Sequence, residues 1–480
     1  MGDRARSLQE GKLMIIFSTS SKDLRFGSRL VPSFYYYSNI VKREITKKGT
    51  DYICLGDHST ISDGEHSAIP RNAVGGIRYL YGRNIKEDVI DFDPISDDPY
   101  IYEYDYENFR RCHIKENDVL IAIYGTVGKS AVYRSEYVGV AGIPRHIANI
   151  SIKADSPITP EYLVSFFRSK YGKRQMYSLM TGNIQQLLSL KNLREFDVPV
   201  LNKEIIDMIT EQEQVAIRYE IESQKLIKKA IKLFYDGLNF DVKSVKRDFT
   251  FTVSNIEVFE NNVWSTSFYD KLYVKMAAAL RENNETETLD SIVDMIHGDE
   301  VGSENYVDYI ERALDDKAFI RTSDIVNNEL DLYPDYYISP ATSDNILQDI
   351  KAGDVIFTKD GKIGCVAMIT EQDNVIISSG LERLRLKKKA KDKGITQEYL
   401  FVALAVPEVG QFGARRRTVI ASTIPHLRVD RLKEIEIPIE DKTHIDDITK
   451  LVKEAFRLRD MRKMIIKELD KKIDGYFDVY

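Results

Sequence analysis

The apolar positions of this chain fall in short blocks that occur twice in the same order. The clearest block, DVLIAIYGTVGKSAVY, runs from Asp118 to Tyr133, and a near copy, DVIFTKDGKIGCVAMI, runs from Asp354 to Ile369. In each block, two short apolar segments flank a loop that contains glycine. This arrangement is typical of two strands joined by a turn. The pattern therefore predicts a strand-loop-strand unit in each half of the chain.

The residues around this unit repeat as well. Asp118 and Asp354 are separated by 236 positions (354 minus 118), and residues 15–37 align without a gap to residues 249–271. The alignment continues to Leu55 and Leu289, each followed by turn residues. Repetition over half of the chain length predicts two copies of one domain.

Each copy continues with a predicted helix and a predicted strand. The segments ITPEYLVSFF, from Ile158, and ITQEYLFVAL, from Ile395, share helical periodicity and a threonine suited to cap the helix. A polar, basic loop then leads to the strands LREFDVPV and LKEIEIPI, which end near Pro199 and Pro438.

A long helix is predicted after each of these strands, because mostly apolar residues recur at alternating steps of three and four. These residues would form the seam along which two helices of a coiled coil contact each other. The expected fold class is α+β, with two tandem copies of one domain, each followed by a long helix, and with the two helices paired as an antiparallel coiled coil. The alternative is that each helix packs only on its own domain. The predicted domains are residues 1–202, a central helix at 203–237, residues 238–441, and a C-terminal helix at 442–480. The expected seam comprises Ile205, Ile209, Gln212, Ala216, Tyr219, Ser223, Leu226, Ala230 and Leu233, then Ile448, Leu451, Ala455, Leu458, Arg462, Ile465, Leu469 and Ile473.

Composition limits the class of protein. With 480 residues and 43% hydrophobic residues, the chain can form more than one core. No apolar run is long enough to cross a bilayer and no signal peptide is recognisable, so we expect a cytoplasmic protein without a membrane partner. The three cysteines are far apart and are expected to be free thiols. A net charge of −7 weakly opposes nucleic-acid binding, so local charge matters more.

The triplet Gly128, Lys129, Ser130 suggests a phosphate-binding loop. That motif needs a glycine five residues before Gly128, where this chain has Ile123, and the second copy has Cys365 and Val366 after Gly364. A structural hairpin is therefore the better interpretation.

No catalytic constellation is recognisable, and neither a metal nor a cofactor is predicted. The histidines lack ligand spacing, and no serine or cysteine lies in a nucleophile elbow. The alternative is a metal-dependent DNA endonuclease that uses Pro334 and Asp335 with Asp349 and Lys351, or with Asp360 and Lys362. The first copy lacks both acids, since His113 and Lys115 stand at the positions of Asp349 and Lys351, and Tyr124 and Thr126 at those of Asp360 and Lys362. A third hypothesis is a duplicated scaffold for protein partners.

Basic and polar residues cluster in corresponding loops of the two copies. Cations contact phosphates, while Arg, Asn and Gln offer paired groups for base edges. The residues predicted to bind DNA are Tyr124, Thr126, Lys129, Arg134, Arg145, Arg174, Asn183, Gln185 and Gln186 in the first copy, and Lys359, Lys362, Arg383, Arg415, Arg416, Arg417 and Thr423 in the second.

An acidic stretch at 86–107 makes the two halves unequal in length. Asp88, Asp91, Glu103 and Asp105 are among its acids. We expect this face to avoid phosphates and to contact a protein partner.

These features together resemble the DNA specificity subunits of type I restriction-modification systems. The resemblance depends on GGIRYLYGRNI from Gly75, DVLIAIYGTVGKSAVY from Asp118, GNIQQLLSLKNLREFDVPV from Gly182, and the long helix that follows. The second half repeats the order with AGDVIFTKDGKIG and TVIASTIPHLRVDRLKEIEIPI. The resemblance covers nearly the whole chain.

The resemblance implies a non-catalytic subunit that reads an interrupted site in double-stranded DNA. Each target-recognition domain would read one half-site, and the paired helices would set the gap. The partners implied are modification subunits that methylate adenine with S-adenosylmethionine and, where present, an ATP-dependent restriction subunit. The helices would dock the modification subunits.

Overall fold

A computed structural model describes residues 6–9, 12–15, 50–72, 75–92, 99–182, 186–248, 250–309, 312–313, 315–420 and 424–477. The aligned segment 15–37 lies almost entirely outside these residues. The comparison of the two copies therefore begins at the strands Asp51–Cys54 and Glu285–Thr288.

The chain divides into two compact units, each of which contains one of the repeats. The first comprises Met1–Ile90, Pro99–Glu213 and Lys467–Tyr480, and the second comprises Asp91–Asp98 and Gln214–Ile466. Both units are discontinuous along the chain, whereas the predicted domains are continuous. The domain boundaries therefore stay a prediction.

The predicted strand-loop-strand unit forms the edge of a four-stranded antiparallel sheet in each unit. In the first unit, the strand order is Ser59–Asp63, Ile147–Ile152, Val119–Ala122, Ser130–Val132. In the second unit, the order is Val293–His297, Leu381–Leu386, Val355–Thr358, Val366–Met368. The same order and orientation of strands show that the sequence repeat is a structural repeat.

A second sheet repeats in the same way. The strand order is Ala141–Gly142, Ile77–Tyr79, Tyr100–Ile101, Arg71–Asn72 in the first unit and Val375–Ile377, Lys317–Ile320, Tyr336–Ile338, Val307–Asp308 in the second. In both, the first two strands are parallel and the others antiparallel.

Short strand pairs complete the sheets. The strands that contain Pro199 and Pro438, Asp197–Val200 and Glu436–Ile439, pair antiparallel with Asp51–Cys54 and Glu285–Thr288. The remaining pairs are Arg6–Gln9 with Lys12–Ile15, Ile325–Val326 with Glu329–Leu330, and Val419–Ile420 with Pro425–His426.

The helices fill the space between the strands. The α-helices are Leu55–His58, Glu103–Asn108, Ser135–Val138, Pro160–Arg168, Lys170–Leu179, Leu190–Arg194, Lys203–Gly237, Asn255–Asn261, Lys271–Asn283, Leu289–Ile292, Pro340–Ser343, Lys388–Asp392, Gln397–Ala405, Gly410–Arg417, Val429–Leu432 and Lys442–Phe477. The 3-10 turns are Gly82–Asn84, Arg110–Cys112, Val242–Ser244, Thr266–Tyr269, Ser303–Asn305 and Thr322–Asp324.

A capped helix joins the sheet to the proline strand by the same contacts in each unit. Thr159 caps Pro160–Arg168 by accepting a hydrogen bond from the Tyr162 backbone N–H (3.1 Å), and the buried Tyr162 hydroxyl donates to the Pro199 carbonyl (2.8 Å). In the second unit, Thr396 and Tyr399 make the equivalent bonds, at 3.1 Å and, to the Pro438 carbonyl, at 2.7 Å. The cap and the tyrosine thus fix the helix to the strand that leads into each long helix.

The two long helices, Lys203–Gly237 and Lys442–Phe477, pack antiparallel within the second unit. Arg462 contacts Glu220 and Arg459 contacts Ser223, so residue numbers rise along one helix as they fall along the other. The central helix contributes residues up to Glu213 to the first unit, and the C-terminal helix contributes residues from Lys467. The predicted fold class is confirmed, and the alternative that each helix packs only on its own domain is wrong.

The predicted seam is largely correct on the C-terminal helix, where the residues buried as expected are Ile448, Ala455, Leu458, Arg462, Leu469 and Ile473. On the central helix it is half correct: Ile209, Ala216, Ser223 and Ala230 are buried as expected, but the alternate positions are shifted by one residue. Also buried are Ile206, Glu213, Glu220, Ile227 and Phe234 on the central helix and Val452, Arg459 and Ile466 on the C-terminal helix. The shift arises because the helices pack on the domain cores as well as on each other.

Buried ion pairs attach the helix pair to the second unit, and we call this set the second clamp: Glu220, Glu329, Asp373, Arg459, Arg462 and Lys463. Arg462 binds Glu220 (3.3 Å) and Glu329 (2.8 Å), and Lys463 binds Asp373 (2.8 Å). Burial would raise the pKa of Glu329, yet Arg462, Lys463 and Arg459 hold it below its usual value. Glu329 therefore stays charged inside the protein.

The first unit contains a smaller clamp, defined as Arg168, Glu213 and Asp470. The fully buried Arg168 guanidinium binds Glu213 of the central helix and Asp470 of the C-terminal helix, the latter at 2.7 Å. Both units therefore hold the two long helices through a buried arginine.

The acidic stretch at 86–107 is partly internal. Glu87 and Asp91 are buried; Glu87 pairs with the buried Lys173, and Asp91 lies 3.6 Å from Lys362. These two carboxylates balance charges of the fold, so they do not form an exposed acidic face. Residues 93–98 lie outside the described part of the chain.

Candidate nucleic-acid interface

The loop of each strand-loop-strand unit has the same backbone course. Gly128 and Gly364 both have φ of +89°, a conformation that favours glycine. Gly128 N–H donates to the Ala122 carbonyl (2.8 Å), and Gly364 N–H donates to the Thr358 carbonyl (3.0 Å). Ser130 lies in a strand and Lys129 is only 8% exposed, which agrees with the structural interpretation of the Gly-Lys-Ser triplet.

The loop meets three other segments in the first unit, and we call the resulting surface the first tip: Tyr124, Thr126, Arg145, His146 and Gln186. Ile123 N–H donates to the His146 carbonyl (3.0 Å), Tyr124 forms a backbone bridge with Leu187, and the Thr126 hydroxyl donates to the Gly82 carbonyl (3.2 Å). The backbone of the tip is thus fixed from several directions.

The side chains of the first tip form an aromatic and cationic group. The Tyr124 and His146 rings pack edge to face with centroids 5.4 Å apart, while Arg145, His146 and Gln186 are exposed. Burial, followed by the neighbouring Arg145 charge, lowers the pKa of His146. At neutral pH the ring therefore presents a neutral donor and acceptor beside an exposed guanidinium.

The second tip occupies the equivalent place in the second unit and comprises Asp360, Lys362 and His426. Lys359 N–H donates to the Gly380 carbonyl (2.9 Å), Leu427 N–H donates to the Lys359 carbonyl (2.8 Å), and Asp360 forms a backbone bridge with His426. The Asp360 carboxylate is hydrogen-bonded to His426 Nδ1, and both side chains are accessible, at 27% and 47% exposed. A hydrogen-bonded carboxylate and imidazole here replace the aromatic pair of the first tip.

The structure brings together five of the predicted DNA-binding residues at the tips: Tyr124, Thr126, Arg145, Gln186 and Lys362. It places four others inside the fold. Lys359 and Arg383 are each 3% exposed, Lys129 is 8% exposed, and Arg134 is ion-paired with the buried Glu161. Burial and then Arg385 lower the pKa of Arg383. These four side chains stabilise the domain as the structure describes it, and a role in DNA contact stays a prediction.

The predicted arginines Arg415, Arg416 and Arg417 lie on the last turn of helix Gly410–Arg417 and are half-buried. Arg416 stacks on the Phe268 ring (4.7 Å) and donates to its carbonyl (3.1 Å), while Arg417 binds Glu434 (3.1 Å). Burial and then Arg417 lower the pKa of Arg416. At least two of the three arginines therefore have structural contacts.

Arg174 is half-buried on helix Lys170–Leu179 and is not part of the first tip. Asn183, Gln185 and Thr423 lie outside the described residues.

The list of residues predicted to bind DNA does not include His146, Asp360 or His426, although His146 follows the predicted Arg145 and Asp360 lies in the loop that varies between the copies. The signal that identifies them is the alignment of the two loops, because these residues differ between copies while the backbone around them is preserved.

The other predicted chemistry has few candidates in the described part of the chain. Asp349 binds Lys351 (2.8 Å) and Arg385 (2.7 Å), and Asp335 lies 3.5 Å from Arg321. In the described residues, no group of three or more His, Cys, Asp or Glu side chains is arranged to hold a metal ion. All three cysteines are free. None of the described helices is long and apolar enough to span a membrane.

Comparison with known proteins gives a family match over the second repeat. Residues 284–458 match the family model described as the type I restriction modification DNA specificity domain. The second repeat is therefore similar to a DNA specificity domain. The match confirms the resemblance that the sequence indicates, to the DNA-binding specificity subunits of type I restriction-modification systems.

Two solved structures follow the chain over most of its length. The S subunit of a type I restriction-modification system from M. genitalium is 12% identical, with a TM-score of 0.35, over 89% of this chain and 95% of that one. The HsdS subunit from Thermoanaerobacter tengcongensis is 13% identical, with a TM-score of 0.27, over 90% and 96%. These identities and scores are too low to carry an argument about this chain, so the likeness depends on the match over residues 284–458. No curated protein matches the chain.

Proposed function

We propose that this chain is the non-catalytic subunit that selects the DNA target of a type I restriction-modification complex, with each repeat reading one half of a split site. The supporting observation is that the two tips have the same backbone and different side chains. A shared frame gives two domains the same approach to DNA, and different side chains let them read different bases. The first tip would contact one half-site and the second tip the other.

The long helices would hold the two recognition domains at a set spacing and dock the modification subunits. The two clamps support the first part of this proposal, because separating a buried ion pair leaves an uncompensated charge inside the protein and makes the helix-to-domain joint costly to deform. Docking follows from the family alone. Methylation of adenine with S-adenosylmethionine and cleavage driven by ATP would belong to the partner subunits.

The test is co-expression of the chain with the methyltransferase subunit of its system, followed by sequencing that maps methylated adenines. We expect methylation at one split motif with a fixed gap. No new methylation at any motif would contradict the proposal. Cleavage of DNA by the purified chain with magnesium would instead favour the endonuclease alternative.

A first-tip variant assigns the half-sites. Arg145 is exposed, and Arg145→Gln should weaken DNA binding and make it less dependent on salt, because one phosphate contact is lost. The measurement is affinity of the complex across a salt series. For the predicted arginine cluster, the single variant Arg415→Gln keeps the contacts of Arg416 with Phe268 and of Arg417 with Glu434, which the triple substitution would remove.

A further inference from the structure

The second tip contains a carboxylate in a place where DNA binding would disfavour one. Asp360 is partly exposed, stands two residues before Lys362, and lies 3.5 Å from the Lys359 ammonium. A carboxylate that faces phosphates weakens binding to any sequence. Lys359 and His426 offset part of this cost, and hydrogen bonds accepted from a base would offset the rest, so a carboxylate at this position points to direct readout.

The Asp360 carboxylate is held in a preformed geometry. Its backbone bridge with His426 is flanked by the bond from Gly361 N–H to the Pro425 carbonyl (3.0 Å) and by the bond from Leu427 N–H to the Lys359 carbonyl. The hydrogen bond to His426 Nδ1 then orients the carboxylate. Readout groups on a fixed frame discriminate better than mobile ones, because less ordering is needed on binding.

The backbone beside this pair carries no side chain, because Thr322 lies too close to admit one. Gly380 occupies the position that corresponds to His146, since both accept the equivalent bond from the loop. A side chain at Gly380 would begin 3.5 Å from Asp360 Cβ and 2.8 Å from Thr322 Cγ2. In the first tip, the His146 ring fills this place and packs on Tyr124. The second tip thus exposes an acceptor where the first tip presents a ring pair.

We propose that Asp360, oriented by His426, reads an amino-bearing base edge, the N6 amino group of adenine or the N4 amino group of cytosine, at one position of the second half-site. The proposal rests on the function proposed above. In the major groove, these two amino groups are the hydrogen-bond donors that a carboxylate can accept from. His426 is a positioning residue whose Nδ1 binds the carboxylate, which leaves Nε2 for a second contact.

The experiment compares methylation motifs of the co-expressed complex for the unmodified chain, Asp360→Ala and His426→Ala. Asp360→Ala should relax preference at one base pair of one half-site by roughly tenfold, the usual effect of one lost base contact, and leave the other half-site unchanged. His426→Ala should relax the same position less strongly. Binding selection from a randomised DNA library provides a second readout that does not depend on the methylation rate.

The matched control is Asp349→Asn, another accessible carboxylate of the same unit that binds Lys351 and Arg385. This variant should leave every position of the motif unchanged. The inference is overturned if Asp360→Ala strengthens binding equally to all sequences, which would make Asp360 a solvated charge, or if preference is unchanged at every position. A chain that directs no methylation before any substitution would overturn the proposed function instead.

Discussion

The two repeats share a backbone and differ in the side chains at their tips. Where the first repeat has Tyr124 and His146, the second has Asp360 and Gly380, yet the hydrogen bonds that fix both loops are the same. The comparison separates two kinds of residue. Glycines, caps and buried tyrosines determine the frame, while residues at the loop ends are free to vary because they contribute little to the core. A duplicated domain can therefore change its ligand without changing its fold.

The largest expected effect concerns the clamps. Arg462→Met removes the cation between Glu220 and Glu329 and leaves both carboxylates buried, so unfolding free energy should fall by about 3–5 kcal/mol. Arg168→Met should have a similar effect in the first unit, because Arg168 also binds two carboxylates. Urea denaturation measures both. The exposed pair of Arg457 and Glu454 provides the control, and Arg457→Met should cause no resolvable change. Equal stability of Arg462→Met and the unmodified chain would contradict the clamp.

The next effect concerns the shared loop geometry. Gly128→Ala and Gly364→Ala place a side chain at φ of +89° and bring Cβ to 2.4 Å from Met176 Sδ and 3.2 Å from Gln411 Cα. Each should cost roughly 2–3 kcal/mol. Gly125→Ala has φ of +75° and no heavy atom within 4 Å of the new Cβ, so it should cost only about 1 kcal/mol. Thermal or urea unfolding measures the loss of unfolding free energy for each variant. Gly125→Ala reports backbone strain alone, and the other two variants report strain plus crowding. Equal losses at all three glycines would show that crowding contributes nothing.

A smaller effect tests whether the same tyrosine hydrogen bond stabilises both repeats equally. Tyr162→Phe and Tyr399→Phe each remove a buried hydroxyl that donates to a proline carbonyl. Each substitution should lower unfolding free energy by about 1–2 kcal/mol, because the carbonyl loses its partner. The two sites are in different units, so the double variant should show nearly the sum of the single effects. A cost at only one tyrosine would show that the repeats are not energetically equivalent.

The smallest effect concerns a position where the frames differ. Glu440 follows the second proline strand, and the first repeat has Leu201 at the corresponding place. Burial raises the pKa of Glu440 from 4.5 to about 7. The folded state therefore holds a proton that the unfolded state releases, and stability falls as pH rises from 4.5 to about 7.

Glu440→Gln should remove this pH dependence. The variant should be more stable than the unmodified chain at pH 8 by about 1 kcal/mol, a figure reduced because the side chain is partly screened by solvent. At a pH of about 5 the difference should be small. Urea denaturation at the two pH values provides the measurement. An identical pH dependence of stability for both proteins would show that Glu440 is not its source.

Much of the frame could be predicted from the sequence because it depends on neighbours along the chain. The glycine loops, the threonine caps and the long helices are local features, and a repeat at an offset of 236 aligned them in both halves. The seam was less predictable. The seam residue was predicted at Leu226, but Ile227 is the buried one, since a helix that packs on both a partner and a domain core buries more than one stripe.

Tertiary structure decided which charged side chains are exposed and which are buried or ion-paired. Lys359, Arg383 and Arg134 look like the other cations of their loops in the sequence, yet the fold buries the first two and pairs Arg134 with Glu161, which is 27 residues away. Asp360 and His426, 66 residues apart, meet through a backbone bridge that no local pattern indicates. The sequence by itself determined that two similar domains and two long helices form. Only the tertiary structure decided which side chains reach the surface together, because burial and pairing depend on segments that are distant along the chain.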